Sequence, residues 1–291
     1  MTLSVRLLRI TLYSHLFLAL CAVSLWFSTR LIFGLPVECS SQVLLLASAT
    51  VLYYNFHKFS YRFDNYHPAR VLRRMMDSSV SAVDRLLFIL AALTFSISFL
   101  LQPPWVMIIW MFLVLLSIGY SLPVFHDGNS YRRLREKPLL KIIVVAFVWT
   151  VTTVGLPLAN ELAAVPWFEL AAVCVSRFTL IFALCVPFEI RDERKELQRG
   201  INSLMKFGKQ RVVRWTLAAV FFSVLLLIVY WLQIRTAITF VKVSALIVTQ
   251  LIAIYWLLTT RADRPAWFFK GCVDGTLLLP LVFLILFSLW L

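Results

Sequence analysis

The chain has 291 residues, of which 61% are hydrophobic and 14% charged, and its mean hydropathy is +0.87. A soluble domain of this length carries much more charge, so the composition excludes a soluble globular protein and indicates a polytopic membrane protein. The formal net charge of +14 would indicate nucleic-acid binding in a soluble chain. In a membrane protein, basic cytoplasmic loops account for the same excess, so we expect no nucleic-acid partner.

Apolar segments of about twenty residues, the length that crosses a bilayer, predict nine transmembrane helices in one domain over residues 1–291. The first segment follows Arg6 and Arg9 and is too long and too aromatic for a cleaved signal peptide, so we interpret it as a retained span. The predicted spans are Leu7 to Phe33, Gln42 to Phe56, Leu86 to Leu101, Trp105 to Leu122, Leu139 to Leu158, Trp167 to Pro187, Val212 to Leu232, Ile238 to Leu258 and Cys272 to Leu291.

Charge alternates between the loops that join these spans. Most Lys and Arg residues lie after the second, fourth, sixth and eighth spans, whereas the intervening loops are short and nearly neutral. The positive-inside rule therefore places the N-terminus and these four loops in the cytoplasm and the C-terminus on the opposite side. The basic loops are Lys58 to Arg85, Phe125 to Lys141, Glu189 to Arg214 and Thr259 to Lys270.

The densest run of charge is FEIRDERKELQRG, Phe188 to Gly200, directly after an apolar segment. Asp192 and Glu196 are four residues apart, so on a helix they share one face, and Glu189 adds a third carboxylate within two helical turns. Such a face can hold a cation or a cluster of bases. The bases interleaved among the carboxylates make a salt-bridged surface helix an equally good interpretation.

The first basic loop offers a candidate anion site. Asn55, Lys58 and Arg62 are spaced three and four residues apart and share a helical face. This face can bind an anionic headgroup or a diphosphate directly. Two bases at a membrane surface also contact lipid phosphates without any further function, so both interpretations stay open.

The second basic loop contains Arg132, Arg133 and Lys141 around a helix that restarts at Pro138. Proline is favoured in the first helical turn, where free backbone N–H groups help to bind anions. Positive-inside sorting produces the same concentration of bases, and position alone does not separate the two explanations.

The run FEIRDERKELQRGINSLMKFG, Phe188 to Gly208 (the second motif), resembles the second conserved motif of the UbiA superfamily of intramembrane prenyltransferases. That motif has a carboxylate pair spaced Asp-x-x-x-Asp, then Gly four residues later, then a short segment that ends in another Gly. The matching residues in this chain are Asp192, Glu196, Gly200 and Gly208.

The resemblance extends over nearly the whole chain. The stretch LREKPLLKIIVVAFVWTVTTVGLP, Leu134 to Pro157, together with FEIRD and Asp274-Gly275, is similar to the UbiA-like membrane proteins of Bacteroidetes-type bacteria. The resemblance implies nine helices around a central cavity and a location in a bacterial inner membrane. It also implies a prenyl diphosphate, a hydrophobic acceptor and membrane lipid as partners.

The resemblance also implies residue roles. In the family, Mg²⁺ bound by two acidic motifs neutralises the diphosphate of the prenyl donor, and an acceptor attacks the allylic carbocation. Asp192 and Glu196 would be catalytic metal ligands, with Glu189 as a third ligand. The diphosphate contacts would be Asn55, Lys58, Arg62, Arg132, Arg133, Lys141 and Arg191.

The first motif, which begins at Asn55, departs from the family pattern Asn-Asp-x-x-Asp-x-x-x-Asp. All three aspartates are replaced by phenylalanine, at Phe56, Phe59 and Phe63. We therefore expect Lys58 and Arg62 to contact the diphosphate directly, as fixed cations in place of metal charge.

Three functions follow from these patterns. The first is an active prenyltransferase with an unidentified aromatic or lipid acceptor. The second is a non-catalytic membrane protein of the same fold that binds an isoprenoid or another lipid. The third is a structural or transport role in which the charges serve only membrane topology.

Overall fold

The computed structural model describes residues 15–60, 82–121, 123–127, 130–133, 136–198 and 203–289. These residues form nine α-helices, one in each predicted span, so the prediction of an all-α membrane protein is confirmed. The helices are α1 (Leu16–Ile32), α2 (Ser41–Ser60), α3 (Ala82–Leu100), α4 (Pro104–Ser121), α5 (Pro138–Thr150), α6 (Trp167–Gln198), α7 (Lys209–Ile234), α8 (Ala237–Thr259) and α9 (Leu279–Ser288).

Six helical stretches are long and apolar enough to cross a membrane. They are α4, α5 with its continuation to Leu158, α6, α7, α8 and the stretch Phe268–Ser288 that contains α9. Shorter apolar helices occur at Leu16–Ile32 and Arg85–Leu100. Helices satisfy their own backbone hydrogen bonds, as a hydrocarbon environment requires, so the chain is a multi-pass membrane protein.

Two of the helical stretches change their winding. The helix α5 continues as a π-helix at Val151–Gly155 and a 3₁₀-helix at Leu156–Leu158. Before α9, a π-helix at Phe268–Val273 is followed by a 3₁₀-helix at Asp274–Leu278. Such single π turns re-aim the side chains that follow them and are frequent at functional sites.

A short antiparallel hairpin precedes α5, formed by β1 (Pro123–Asp127) and β2 (Ser130–Arg133). Phe125 pairs with Arg132, and His126 pairs with Tyr131. From the sequence we expected a basic loop in this stretch. The dipeptide between the two strands is Gly128-Asn129, and a Gly-Asn pair between runs that contain aromatic residues is a pattern that predicts such a hairpin.

The helix α6 is longer than its predicted span. We expected the span to end at Pro187, but the helix continues through this proline to Gln198. Proline lacks only one backbone N–H, and a membrane helix tolerates that loss when packing against its neighbours stabilises both sides. The carboxylates of the second motif therefore lie on the same continuous helix as the apolar span.

The chain divides into two compact units, and the boundary falls within α1. The first comprises Met1–Val23 and Glu38–Arg135, and in it α2 packs along α3. The second comprises Ser24–Val37 and Glu136–Leu291, and in it α6 packs against α5, α7 and α8. The single domain over residues 1–291 stays a prediction.

The interior of the second unit contains a charged side chain that the sequence analysis did not single out. Arg177, in the middle of α6, is 2% exposed, and its Nη2 donates to Ser28 Oγ at 2.9 Å and to Thr29 Oγ1 at 3.3 Å. The hydroxyl of Thr29 in turn donates to the carbonyl of Thr153, in the π-helix after α5, at 2.6 Å. A buried charge in a membrane is costly without such partners, so Thr29 connects and stabilises three segments.

We expect Thr29→Val to destabilise the protein. The substitution keeps the side-chain volume but removes the hydroxyl that bonds Arg177 and Thr153. Relative to the matched control Thr249→Val, it should lower the free energy of unfolding by about 1–2 kcal/mol. Thr249 is also fully buried, but it donates to Ala245 O within its own helix, at 2.8 Å. Unfolding in detergent measures the difference, and equal stabilities would contradict the assigned role.

Candidate functional site

Three carboxylates lie on one face of the final turns of α6. The helix continues to Gln198, so the predicted shared face of Asp192 and Glu196 exists, and Glu189, three residues before Asp192, lies on it as well. The side chains of Glu189 and Glu196 are 12% and 15% exposed, because the neighbouring helix α5 covers them. Buried carboxylates need a positive partner.

Lys141, in the first turns of α5, supplies that partner. Its Nζ lies 2.6 Å from Glu189 Oε2 and 2.7 Å from Glu196 Oε1, and its side chain is 6% exposed. One ammonium thus bridges two carboxylates that are two helical turns apart. The structure thus brings together residues that we expected to bind different ligands. We expected Lys141 to contact the diphosphate and the two glutamates to bind a metal.

The third carboxylate has a separate base. Arg191 donates from Nε to Asp192 Oδ1 at 2.9 Å and from Nη2 to Asp192 Oδ2 at 2.6 Å. The guanidinium carbon lies 4.9 Å from the ring centroids of both Phe188 and Phe269, which contact each other. Two aromatic faces and a bidentate pair hold this guanidinium in a defined orientation.

A second acidic residue lies near Arg191. Asp274 begins the 3₁₀-helix before α9 and interacts electrostatically with Arg191 and with Lys270. The sequence analysis noted Asp274 only as part of the resemblance. Its position follows from the π-helix at Phe268–Val273, which also places Phe269 against the guanidinium.

An apolar cluster lies next to these charges. Its buried members, which come from α5, α6, α7, α8 and the segment between α6 and α7, are Ile142, Val186, Ile190, Leu204, Met205, Val212 and Leu257. Because Ile142 follows Lys141 and Ile190 follows Glu189, the cluster fixes the backbone on both sides of the ion pair. It also excludes water, which strengthens the electrostatic contacts.

The end of the second motif forms a tight connection to α7. Ser203 accepts a hydrogen bond from the backbone N–H of Met205 at 3.2 Å, at the start of a 3₁₀-helix over Leu204–Phe207. Gly208 follows with φ at +86°, a conformation that favours glycine. Gly200, the other glycine of the second motif, lies outside the described residues.

The other predicted site residues belong to the first unit. Asn55 is 1% exposed on α2, and its Nδ2 donates to Val51 O at 2.9 Å. Lys58 is part of α2 and Arg132 and Arg133 are part of β2, but the structure describes only their backbone. Arg62 lies outside the described residues. The roles of these residues stay predictions.

The described carboxylates fit a divalent metal ion poorly. Lys141 is bonded to Glu189 and Glu196, and Arg191 engages both oxygens of Asp192. Mg²⁺ needs near-octahedral oxygen ligands at about 2.0–2.1 Å, and two of these carboxylates already converge on an ammonium. Among the described residues, no group of three or more His, Cys, Asp or Glu side chains is arranged to hold a metal.

A protein-family model matches most of this chain. The model of the UbiA prenyltransferase family matches residues 61–279, well over half of the chain. The chain belongs to the UbiA prenyltransferase family. The resemblance seen in the second motif is therefore confirmed at the level of the family. No curated protein matches the chain.

Solved UbiA homologues share the fold of this UbiA-family chain. A homologue from Archaeoglobus fulgidus bound to GPP and Mg²⁺ is 14% identical with a TM-score of 0.62, and the match covers 95% of this chain and 96% of that one. The same figures for identity and TM-score hold for a homologue from that organism bound to DMAPP and Mg²⁺, with 96% and 99% covered.

A more distant fold match is the apo structure of a UbiA homologue from Aeropyrum pernix K1. It is 19% identical with a TM-score of 0.52, and the match covers 97% of this chain and 96% of that one. The predicted UbiA-like fold is thus confirmed, while the central cavity and the individual site residues stay predictions.

We expect Glu189→Gln to destabilise this UbiA-family protein, because Lys141 loses one of two partners in a buried setting. The free energy of unfolding should fall by about 1–3 kcal/mol, less than for a fully unpaired buried charge because Glu196 remains. Glu193→Gln is the matched control, since Glu193 lies on the same helix and forms no ion pair with any described residue. Thermal unfolding in detergent compares the two, and equal melting temperatures would contradict the prediction.

Proposed function

We propose that this UbiA-family protein transfers a prenyl group from a prenyl diphosphate to a hydrophobic acceptor, aromatic or lipid, within the membrane. The observation that carries the proposal is the cluster at the end of α6, where Lys141 and Arg191 are held rigidly beside the apolar interior. Membership of the family and a fold shared with homologues bound to GPP and DMAPP support it.

In the proposed reaction the allylic carbon–oxygen bond breaks and the diphosphate keeps the bonding electron pair. A nucleophilic atom of the acceptor then attacks the carbocation and releases a proton. Fixed cationic donors stabilise the charge that develops on the leaving oxygen. Apolar helices exclude water, which would otherwise capture the carbocation.

The contacts of Lys141 and Arg191 support their proposed roles. Lys141 donates one hydrogen bond to Glu196 and forms an ion pair with Glu189, so its ammonium keeps donor capacity for a phosphate oxygen. Asp192 orients Arg191 by accepting a hydrogen bond from its Nε and another from its Nη2. The proposed diphosphate contacts are Asn55, Lys58, Arg62, Arg132, Arg133, Lys141 and Arg191.

A second candidate function is non-catalytic binding of an isoprenoid or another lipid. The observation that favours it is the replacement of three motif aspartates by Phe56, Phe59 and Phe63. In that case a prenyl diphosphate raises the melting temperature without releasing diphosphate. Replacing Lys58 and Arg62 together by Glu would remove the shift.

Asp192→Ala is expected to lower the release of diphosphate from a labelled prenyl diphosphate at least about tenfold, because Arg191 loses the carboxylate that orients it. The control is Asp263→Ala, in the exposed segment after α8. The assay uses the purified full-length protein with candidate acceptors. Full turnover by Asp192→Ala would remove Asp192 from the site, and a protein that neither binds nor cleaves the donor would refute the proposed function.

We also propose that the protein lies in the bacterial inner membrane, on the resemblance of Leu134 to Pro157 to proteins of Bacteroidetes-type bacteria. The concentration of Lys and Arg in four loops supports a cytoplasmic N-terminus and a C-terminus on the opposite side. The end of α6, with the second motif, would then face the cytoplasm.

This orientation predicts that Cys39 is accessible from outside the cell. Cys39 is exposed in the segment between α1 and α2, whereas the other four cysteines are buried or partly buried within helical stretches. A membrane-impermeant maleimide should therefore label the protein in intact spheroplasts, and Cys39→Ser should abolish the labelling. Labelling only after lysis would reverse the proposed orientation.

A further inference from the structure

We propose that Lys141 is the resident cation of the second motif, so that Glu189 and Glu196 bind an ammonium group and not a divalent metal ion. The diphosphate group would then be bound by side-chain cations alone. The part that concerns the diphosphate rests on the proposed function; the part that concerns the carboxylates stands on their geometry.

The position of Lys141 between the two glutamates supports this proposal. Lys141 Nζ lies 2.6 Å from Glu189 Oε2 and 2.7 Å from Glu196 Oε1. The two glutamates are seven positions apart on the helix, so only a group placed between the two turns reaches both. A metal ion that used the same two oxygens would lie next to the ammonium, and two cations repel each other at that distance.

The third carboxylate, Asp192, also has a basic partner. Both oxygens of Asp192 accept hydrogen bonds from Arg191, whose guanidinium is fixed between Phe188 and Phe269. The rings restrict the guanidinium and hold it where Asp192 accepts two hydrogen bonds from it. Each carboxylate on the acidic face of α6 thus already has a basic partner, Lys141 being shared by Glu189 and Glu196.

The burial of these charged side chains also supports the proposal. The side chains of Lys141, Glu189 and Glu196 are largely screened from water, and α5 and α6 are joined by an apolar cluster next to them. In such surroundings an ion pair is hard to separate, because each separated charge loses its partner without gaining full hydration. Removal of the lysine charge would leave two adjacent carboxylates that need another cation.

The bases of the chain supply the charge that a bound metal would otherwise provide. The protein has a formal net charge of +14, concentrated in the same loops that carry the site residues. The three phenylalanines of the first motif agree with this arrangement, since they cannot coordinate a metal. A diphosphate attracted by this field would be met by guanidinium and ammonium groups.

The test compares Mn²⁺ binding, followed by electron paramagnetic resonance, to the wild-type protein and to Lys141→Met. Methionine is similar in length but uncharged, so the freed carboxylates should bind Mn²⁺ at least about tenfold more tightly than in wild type. The double variant Lys141→Met with Glu189→Gln should lose this gain. Lys141→Arg, which keeps a cation, should bind Mn²⁺ no better than wild type.

Two results would overturn the proposal. One is Mn²⁺ binding by wild type that matches Lys141→Met and is weakened by Glu189→Gln. The other is no gain in Mn²⁺ binding by a folded Lys141→Met variant. Should that variant fail to fold, wild type and Glu196→Gln decide: equal Mn²⁺ affinity supports the proposal, and weaker binding by Glu196→Gln contradicts it.

A second measurement covers the diphosphate. Geranyl diphosphate should raise the melting temperature of wild type by the same amount in EDTA and in Mg²⁺, and a shift seen only with Mg²⁺ would refute metal-free binding. The absence of a shift in both solutions would count against the proposed function. The Mn²⁺ comparison, which contains no prenyl diphosphate, then still decides the role of Lys141.

Discussion

The ion pairs between Lys141 on α5 and two glutamates on α6 are the contacts on which the candidate site depends. Their presence requires that α6 continue beyond the apolar span, that α5 begin at Pro138 in the right register, and that an apolar cluster join both helices. The resulting arrangement places charged side chains close to hydrocarbon, where an unpaired charge is costly. The pairing therefore couples the position of the site to the packing of the helices.

Polar groups inside the second unit follow the same constraint. Gln250 on α8 donates to Ser176 Oγ on α6 and to Ser223 Oγ on α7, both at 2.8 Å, so one amide joins three helices. The next residue of α6 is Arg177, whose Nη2 donates hydrogen bonds to hydroxyl groups from α1. Hydrogen bonds between helices add to van der Waals packing in fixing their register, because lipid offers no hydrophobic driving force between helices.

The site combines the fold of a prenyltransferase family with carboxylates that are already paired with bases. Solved homologues contain Mg²⁺ together with GPP or DMAPP. In this chain Lys141 pairs with Glu189 and Glu196, and Arg191 pairs with Asp192. A fold shared at 14% identity does not by itself determine which groups bind these carboxylates.

Apolar runs and the distribution of Lys and Arg were enough to predict nine helices and a multi-pass membrane protein, since hydrophobic length and local spacing are properties of consecutive residues. The family was predicted from a different signal, the resemblance carried by the residues of the second motif. The shared face of Asp192 and Glu196 was predictable from their local spacing. The continuation of α6 through Pro187 was not, because packing against other helices outweighs the local preference of proline. Nor could spacing reveal which base binds which carboxylate. Lys141 lies 48 residues from Glu189 in the sequence and 2.6 Å from it in the structure, and only the packing of α5 against α6 brings them together.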